Sequence, residues 1–417
     1  MKRAPGPKGT LIWGSLADLN ADSLGLFAQA AQEHGDVVRF HFGPVMAHLI
    51  NRPEFIEQVL SRHVRNYDKA TRSADRIAAT TGDSLLSANS DAWGRHRRLI
   101  QPAFQPKCFQ NLAPVIDTLL DPMLANWRAT GTIDIVDEMM QLVIAVAIKV
   151  LFSSDIDPQQ INDPLGVLLA DTWRRIEAPL DPSMLSRHLH RRAFKDAVRA
   201  IDDIVLDLIQ ARRTADARPD DVLSRLLSAH EDSGDAQLDD TELRDAAVTL
   251  LLAGHETTAN ALSWAFIHAA DGFETAAPAD IFAEAIRLHP SIWVIERRVI
   301  ADDNIGGFHI PRGSSVLISP YTMHRHPDYW PAPDVFDPSR FGAQNDRPRH
   351  AYIPVGLGPH RCVGLHLANG IACHVIARVF ESFDMRLVPD QNLDHDPGIT
   401  LRHKSVVMMQ VQPKGQA

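Results

Sequence analysis

The sequence predicts a mainly α-helical protein with a small β-rich region. Apolar residues recur at helical spacing almost without a break from residue 112 to 209, and a second apolar helical run covers residues 239–270. Apolar and polar residues alternate only in short segments, chiefly residues 37–51 and 305–318. Helices should therefore form most of the protein, and strands a minor part.

The composition is that of a globular protein with a large core. Of 417 residues, 45% are hydrophobic and 23% charged. With no repeat or linker, we expect one monomeric domain, residues 1–417, with a Pro/Gly-rich leader at residues 1–10. A net charge of -10 argues against a nucleic-acid partner. Three cysteines without a CxxC pair indicate a cytoplasmic protein, and no run approaches the ~18 apolar residues of a membrane span.

The N-terminal part mixes short elements. Residues 23–33 have a helical pattern, residues 37–51 read as a hairpin, and residues 53–60 open a helix with proline near its start. Residues 67–89 are rich in Thr, Ser and Ala with weak periodicity. We expect a long, partly irregular connection there, of the kind that often carries binding residues.

Trp93 and Arg97 lie on a segment that should be helical until Pro102. Their spacing of four residues places them on one face of that helix. A solvated basic helix with a half-buried tryptophan would explain the pair without any function. A functional interpretation needs an anion for Arg97.

The central helical region has predicted interruptions and one predicted loop. The breaks fall near residues 130–131, 153–158 and 179–182, and residues 212–221 should form a charged, exposed loop.

The next helix should be the longest, and it has polar residues at its centre. Asp239 is a suitable N-cap, and at ~1.5 Å per residue the helix would span roughly 45 Å. Glu256 and Thr257 lie in its most apolar part, where a carboxylate and a hydroxyl cost stability unless they are used. Gly254 leaves room for a ligand, and Thr257 can bond back to the Ala253 carbonyl and bend the helix. Alternatively, Glu256 points to solvent or pairs with a basic residue.

The C-terminal part contains an ion pair, a polar turn and terminal strands. Glu284 and Arg287 form an i, i+3 pair of a kind that is usually structural, and Arg340 lies in a later polar turn. Residues 385–388 and 401–411 have strand patterns.

Cys362 lies in a loop rich in glycine and proline, directly before an apolar helical run at residues 365–380. Glycines there permit unusual backbone angles. Amide donors and a helix N-terminus would favour the thiolate of Cys362 over the thiol. Taken alone, a lone cysteine is more often an inert, buried residue.

Together these stretches resemble the cytochrome P-450 superfamily of heme-thiolate monooxygenases over essentially the whole chain. Gly358, His360, Cys362 and Gly364 match, in order, the signature Phe-x-x-Gly-x-Arg/His-x-Cys-x-Gly. Residues 253–258 are similar to the oxygen-binding segment of the family. Trp93 and Arg97 match the Trp-x-x-x-Arg pair that holds a heme propionate, and Arg297 matches the arginine for the second propionate. Glu284 and Arg287 match the Glu-x-x-Arg pair, and Arg340 matches the arginine that joins this pair.

The resemblance implies a heme b cofactor, O2 as co-substrate and the family fold with a long central helix crossing the heme. Cys362 would be the axial iron ligand, and Thr257 with Glu256 would deliver protons beside the oxygen space at Gly254. Electrons would come from NAD(P)H through a ferredoxin or flavodoxin and its reductase, and one oxygen atom would enter an apolar small molecule. Residues expected to bind the heme are Trp93, Arg97, Arg297 and His360, and residues expected around the substrate are Ala253, Ile292, Trp293, Val294, Ile295 and Ile399. Trp293 at the heme edge would make the pocket compact.

The sequence departs from the family pattern at three places. Val355 stands where phenylalanine is usual, which predicts looser packing near the sulfur. Only 25 residues separate Thr258 from Glu284, so connecting helices should be shortened or absent. Ser291 follows Pro290 where a second proline is common.

Basic positions that the resemblance places near the cysteine-bearing face predict docking of an acidic electron donor. They are Arg95, Arg98, Arg347, Arg349 and Arg361. Three alternatives remain: a peroxide-driven peroxygenase, a non-enzymatic heme sensor, and a zinc protein using His324, His326, His360 or His366.

Overall fold

The computed structural model describes residues 2–177, 189–232, 238–342 and 346–415. Within these ranges helices predominate, and short strands form small sheets, as the sequence predicts. The helices are α1 (Leu16–Ala21), α2 (Ser23–His34), α3 (Pro53–Glu57), α4 (Arg72–Thr81), α5 (Ser90–Ile100), α6 (Leu112–Thr130), α7 (Ile135–Phe152), α8 (Pro158–Glu177), α9 (Leu189–Thr214), α10 (Val222–Asp232), α11 (Asp240–Ala269), α12 (Pro278–Leu288), α13 (Pro320–Met323) and α14 (Leu365–Ser382).

The strands lie mostly near the two ends of the chain. They are β1 (Val37–Phe42), β2 (Val45–Ile50), β3 (Tyr67–Asp68), β4 (Thr132–Asp134), β5 (Ile295–Val299), β6 (Asp303–Ile305), β7 (Phe308–Ile310), β8 (Ser315–Ile318), β9 (Phe383–Leu387), β10 (His395–Pro397), β11 (Leu401–His403) and β12 (Met408–Pro413). One sheet has the order β1-β2-β8-β5-β3, and another has the order β4-β12-β9. Strands β2 and β8 are parallel.

Helix α11 is the central element of the core. Its start is a capping box, in which Asp239 accepts from the Glu242 amide and Glu242 accepts from the Asp239 amide. Buried residues occur all around the helix, which is typical of a helix enclosed by others. It packs against α7 and α12 within the largest hydrophobic cluster, to which α6 and α14 also contribute. This burial places its polar residues inside the protein.

The connection after α11 is short, as predicted. Residues 270–277 form only turns before α12 begins at Pro278. Predicted breaks at residues 130–131 and 153–158 also match the ends of α6 and α7. The break predicted at residues 179–182 lies outside the described residues.

Residues 67–89 are a partly irregular connection, as predicted, but they also contain helix α4, which was not predicted. Thr71 caps this helix by accepting from the Ala74 amide at 3.3 Å. Threonines occupy buried positions on α4, and the Thr80 hydroxyl meets the Thr172 hydroxyl of α8 at 3.2 Å. The apolar periodicity was weak because small polar side chains form the packed face.

Residues 215–220 form a mostly exposed loop as predicted, but the two ends of the predicted segment, Arg212 and Asp221, are buried. Arg212, within α9, forms a buried ion pair with Asp221. Its guanidinium also donates to Ser224 Oγ and to the Phe152 carbonyl, both at 2.6 Å. Paired charges can be buried, so charge alone did not indicate exposure. The predicted terminal strand at residues 401–411 is likewise two strands, β11 and β12, which belong to different sheets.

Candidate active site

A cavity of about 450 Å³ is lined by α4, α5, α8, α11, the segment entering β5, the Cys362 loop and the turn between β10 and β11. This volume is typical of small-molecule sites. The structure brings most of the predicted site residues to this one cavity. They are Trp93, Arg97, Ala253, Glu256, Thr257, Ile292, Val294, Ile295, Arg297, His360, Cys362 and Ile399.

The Cys362 loop is shaped by two backbone requirements. The Cys362 amide donates to the Val355 carbonyl at 3.0 Å and closes the loop. Gly358 has a φ of +68°, and a Cβ there would lie 2.1 Å from the Leu60 carbonyl oxygen. Glycine is therefore required at this position. Gly364 caps α14, and its amide and that of Leu365 donate to Cys362 Sγ.

Cys362 has an exposed surface, yet its thiol lies well inside the protein, because the free surface faces the cavity. Burial raises the pKa of the Cys362 thiol, and the amides and Arg97 oppose that effect only in part. The expectation that the loop alone favours thiolate is therefore wrong. A cation held against the sulfur would reverse the balance, since metal coordination deprotonates thiols.

Three cations lie on the wall of this cavity. Lys69 Nζ donates to the Leu85 carbonyl at 2.5 Å, Arg97 to the Arg361 carbonyl at 2.8 Å, and Arg297 to the Glu296 carbonyl at 2.8 Å. Burial, together with the nearby Arg297 and Arg97, lowers the pKa of Lys69 to about 7. These cations bond to neutral oxygens, so an anionic ligand is needed to balance the charge.

His360 adds a further unused group. Its ring stacks on Trp93 with centroids 3.8 Å apart, and its buried Nδ1 has no partner in the described part of the chain. Burial, with Lys69, Arg297 and Arg97, lowers the pKa of His360 to about 3, so the imidazole is neutral. A neutral donor, three cations and an inward-facing thiol fit a heme, which has two carboxylates and a coordinating iron.

The polar residues of α11 are held in specific contacts. Thr257 Oγ1 donates to the Ala253 carbonyl at 2.7 Å, as predicted. Ser291 Oγ donates to the Thr257 carbonyl, also at 2.7 Å. A Cβ on Gly254 would meet no atom within 4 Å, so open space adjoins the helix there, although Gly254 is not among the lining residues.

Glu256 is buried and does not point to solvent. Its Oε2 accepts from Thr400 Oγ1 at 2.6 Å, and Arg402 Nη1 lies 3.8 Å from Oε1. Burial raises the pKa of Glu256, while Thr400 and Arg402 act in the opposite direction. The carboxyl group therefore holds a proton more readily than an exposed glutamate would.

The structure also brings together Glu284, Arg287 and Arg340. Arg287 Nε and Nη2 donate to the Glu284 carboxylate at 2.6 and 2.8 Å, with both side chains fully buried, and Arg340 Nε lies 3.3 Å from Glu284 Oε1. Arg287 also donates to the His324 carbonyl, and His324 Nε2 accepts from the Ile353 amide at 2.9 Å. This network links α12 to the start of the Cys362 loop.

Trp293 is not in the cavity lining, so the argument for a compact pocket fails. Its side chain is 2% exposed and packs among apolar residues, with the ring centroid 6.0 Å from that of Phe27. Its Nε1 donates to the Gly398 carbonyl at 2.9 Å. In extended backbone, neighbouring side chains point in opposite directions, and Ile292 and Val294 face the cavity instead.

Sequence reasoning missed three polar residues of the site: Lys69, Ser291 as a hydrogen-bond donor, and Thr400. Lys69 belongs to a segment without clear periodicity, and Thr400 to a turn far along the chain from Glu256. Of the three, only Ser291 was noticeable in the sequence, because it stands where the family commonly has a second proline. The family resemblance also predicts substrate contacts near residues 173–185, and residues 178–185 of that segment lie outside the described residues.

Two of the five arginines proposed for docking are engaged within the protein. Arg95 pairs with Glu242, and Arg347 stacks over Trp330 at 4.0 Å. Arg98, Arg349 and Arg361 are exposed.

In the described ranges, no helix has the length and apolar character needed to cross a membrane. The zinc alternative gains nothing, because both ring nitrogens of His324 contact backbone groups.

The fold and the site define a heme-thiolate oxygenase. The sequence matches the profile of the cytochrome P450 family over residues 4–274 and 280–410. The chain therefore belongs to the cytochrome P450 family. The gap in the match at residues 275–279 falls within the short connection between α11 and α12.

Curated relatives cover most of the chain. Cyclooctatin synthase of Streptomyces melanosporofaciens is 31% identical over 90% of this chain and 88% of its own length. Cyclooctat-9-en-7-ol 5-monooxygenase of the same organism is 31% identical, over 88% of this chain and 86% of its own length. Pentalenene oxygenase of Streptomyces avermitilis is 26% identical, over 88% of both chains.

The protein is thus a cytochrome P450 monooxygenase that uses heme b, O2 and electrons from NAD(P)H delivered by redox partners. When bound, the heme supplies the iron chemistry that activates O2 and oxidises the substrate. The polypeptide binds and orients the cofactor and the substrate and moves protons.

Proposed function

We propose that Cys362 is the axial ligand of the heme iron. The observation that carries this proposal is the presence of its thiol in the same cavity as Lys69, Arg97 and Arg297. The two arginines, Lys69, Trp93 and His360 would hold the two heme carboxylates, and Gly358 and Gly364 shape the cysteine loop. The Gly364 and Leu365 amides limit the electron donation of the sulfur.

Thr257 and Glu256 are proposed to move protons towards the oxygen-binding space. Thr257 Oγ1 gives its own proton to the Ala253 carbonyl, so its lone pairs can accept a hydrogen bond from water or bound oxygen. Glu256, with its raised pKa, can hold the next proton close by. The contact between Thr400 and Glu256 Oε2 orients the carboxyl group.

The Thr257 role is tested by Thr257→Ala. We expect more peroxide released per product molecule and less product per NAD(P)H. Thr118→Ala is a matched control, because Thr118 makes the same bond to the carbonyl four residues earlier on an exposed face of α6. Unchanged coupling in Thr257→Ala would contradict the relay. Faster turnover with peroxide alone than with an electron-transfer system would favour a peroxygenase.

The substrate is proposed to be a cyclic, largely hydrocarbon molecule such as a terpene. The walls away from the cation cluster are mainly apolar and include Ile77, Leu168, Ile176, Leu250 and Ile399. Two relatives carry names built on an alkene or its alcohol, cyclooctat-9-en-7-ol and pentalenene. A titration of the heme spin-state shift with terpene hydrocarbons, fatty acids, aromatics and steroids tests the proposal. Tighter binding of a fatty acid than of any terpene would contradict it.

The electron donor is proposed to be an acidic ferredoxin or flavodoxin. Arg98, Arg349 and Arg361 are exposed, and Arg361 adjoins Cys362. Exposed charges steer association more than they add affinity. Arg98→Glu combined with Arg349→Glu should slow reduction at low salt, with a smaller effect at high salt. Rates equal to those of the unmodified protein at low salt would place the docking surface elsewhere.

A further inference from the structure

The hairpin of β10 and β11 forms part of the cavity wall through its turn, Gly398 to Thr400. Three contacts hold this turn. Trp293 donates to the Gly398 carbonyl, Thr400 donates to Glu256, and the Leu401 amide donates to the Ser291 carbonyl at 2.8 Å. The position of the hairpin therefore determines where Ile399 and Thr400 stand in the cavity.

A chain of three imidazoles reaches the base of this hairpin. His268 Nε2 lies 2.7 Å from His289 Nε2, and His289 Nδ1 lies 2.8 Å from His395 Nε2. The three residues belong to α11, to the end of α12 and to β10 respectively. His395 is paired in register with His403 of β11. The chain thus connects the hairpin base to the two helices that flank the site.

Trp264 of α11 fills the space beside the chain. Its ring is 3.7 Å from the His289 ring at an interplanar angle of 5°, and 4.0 Å from the His403 ring. Trp264 lies two helical turns beyond Thr257. Both strands of the hairpin and both helices therefore meet at one aromatic stack.

The hydrogen bonds of the chain are complete with neutral imidazoles. Each nitrogen–nitrogen contact needs one proton, and His289 can donate to either neighbour provided that the other neighbour donates to it. Burial lowers the pKa of His268 and His395 to about 4, with Arg325 adding to the effect on both and Arg287 on His268. Burial also lowers the pKa of His289 well below its usual value, so all three rings are uncharged near neutral pH.

We propose that the His268–His289–His395 chain is a positioning device that fixes the β10–β11 hairpin and thereby holds Ile399 against the substrate and Thr400 against Glu256. None of the three histidines lines the cavity. They act on the reaction through the hairpin and are not catalytic residues. The inference rests on the proposed function, because it assigns Ile399 and Glu256 to the substrate and proton sites.

The test compares His395→Phe with His395→Gln. His395 is only partly buried, so both variants should fold. Phenylalanine keeps the ring but loses the nitrogen, whereas the glutamine amide occupies the place of Nε2 and can still bond to His289. His41→Gln, on an exposed position of β1, is the control.

We expect His395→Phe to weaken substrate binding, measured by the spin-state shift, by about tenfold, the equivalent of one buried hydrogen bond. Peroxide release per product should also rise, while the thermal midpoint and the CO spectrum of the reduced protein stay close to those of the unmodified protein. His395→Gln should recover most of both losses.

Two results would overturn the proposal: binding and coupling of His395→Phe equal to those of His41→Gln, or losses in His395→Gln as large as those in His395→Phe. A missing thiolate spectrum in the unmodified protein would instead refute the proposed function. The two failures are thus distinguishable.

Discussion

Lys69 is the residue whose surroundings most require a bound anion. Replacing it with methionine keeps much of the side-chain length and removes the charge. A hydrogen bond to a charged group contributes about 1.5–3 kcal/mol, so we expect Lys69→Met to release heme at least about tenfold faster to an acceptor protein. The heme-free variant should be at least as stable to urea as the unmodified chain, because one of three neighbouring cations is gone.

Lys107→Met, at an exposed position, serves as the control for Lys69→Met. Heme release at the control rate from Lys69→Met would mean that Lys69 does not contact a heme carboxylate. A large loss of stability in the heme-free variant would show that the contacts of Lys69 with Leu85 and Trp93 matter more than the charge.

The sequence could reveal residues that recur at fixed spacing, such as Trp93 with Arg97 and Glu284 with Arg287. It could not reveal Lys69 or Thr400, because their partners lie on segments remote in the chain. The error at Trp293 has the same origin. Trp293 follows Ile292, which does line the cavity. The direction of the Trp293 side chain, however, depends on backbone alternation and on the apolar cluster into which it packs.

At the scale of elements, the Glu284–Arg287–Arg340 network joins α12 to the cysteine loop. Arg287→Met leaves a buried carboxylate with only the weaker Arg340 contact and the hydrogen bond from the Asp337 amide. Removing one partner of a buried ion pair costs about 3–5 kcal/mol, and urea unfolding of the heme-loaded protein should show this loss. Heme content should fall as well, because one of the two bonds between Arg287 and His324, the one from the guanidinium to the His324 carbonyl, would be lost.

The control for Arg287→Met is Arg192→Met on α9. Arg192 pairs with Asp196 at 3.7 Å with 84% of its side chain exposed. Exposed pairs contribute about 0–1 kcal/mol, so the control should change little. Similar small losses in both variants would contradict a structural role for the buried network.

Helices could be predicted where apolar side chains recur at helical spacing. They could not be predicted where other side chains form the buried face. Helix α11 has a capping residue and a long apolar run, and its start at Asp240 follows the predicted cap at Asp239. Helix α4 buries Thr80 and Thr81 with the small Ala74 rather than a run of large apolar residues, so it was not predicted. The Arg212–Asp221 pair was read as exposed because burial of paired charges leaves no sign in the sequence.

For the molecule as a whole, buried neutral histidines should set the acid limit of stability. Burial lowers the pKa of His48 and His255 to about 4 and of His403 to about 3. The pKa of these histidines in the unfolded chain is about 6.5, so below that pH the unfolded chain binds protons that the folded protein does not bind. Stability is therefore fully present above pH 6.5 and falls towards pH 4, by up to about 1.4 kcal/mol per pH unit for each histidine.

The variant His48→Gln tests this pH dependence. Glutamine does not titrate, so the free energy of unfolding in urea should fall less steeply between pH 6.5 and 5 than in the unmodified protein. His41→Gln, at an exposed position, should change the slope much less, because His41 is the weakest of the groups that act on His48. Equal slopes in all three proteins would show that His48 is not held neutral by burial. Glu138 and Glu256, whose pKa values burial raises, act in the opposite direction and are common to all three.

The whole fold was largely predictable from periodicity and from the ordered motifs. Even the shortened connection at residues 270–277 followed from the spacing between Thr258 and Glu284. The shape of the cavity was not predictable, because many separate segments build it and their side-chain directions depend on packing.

The central claim, thiolate ligation of a heme iron by Cys362, is tested most directly by the CO-difference spectrum of the reduced protein. The unmodified protein should give the spectrum characteristic of a thiolate ligand. Cys362→Ser should lose that spectrum, while Cys373→Ser, on the following helix, should keep it. Retention of the thiolate spectrum by Cys362→Ser would contradict the account.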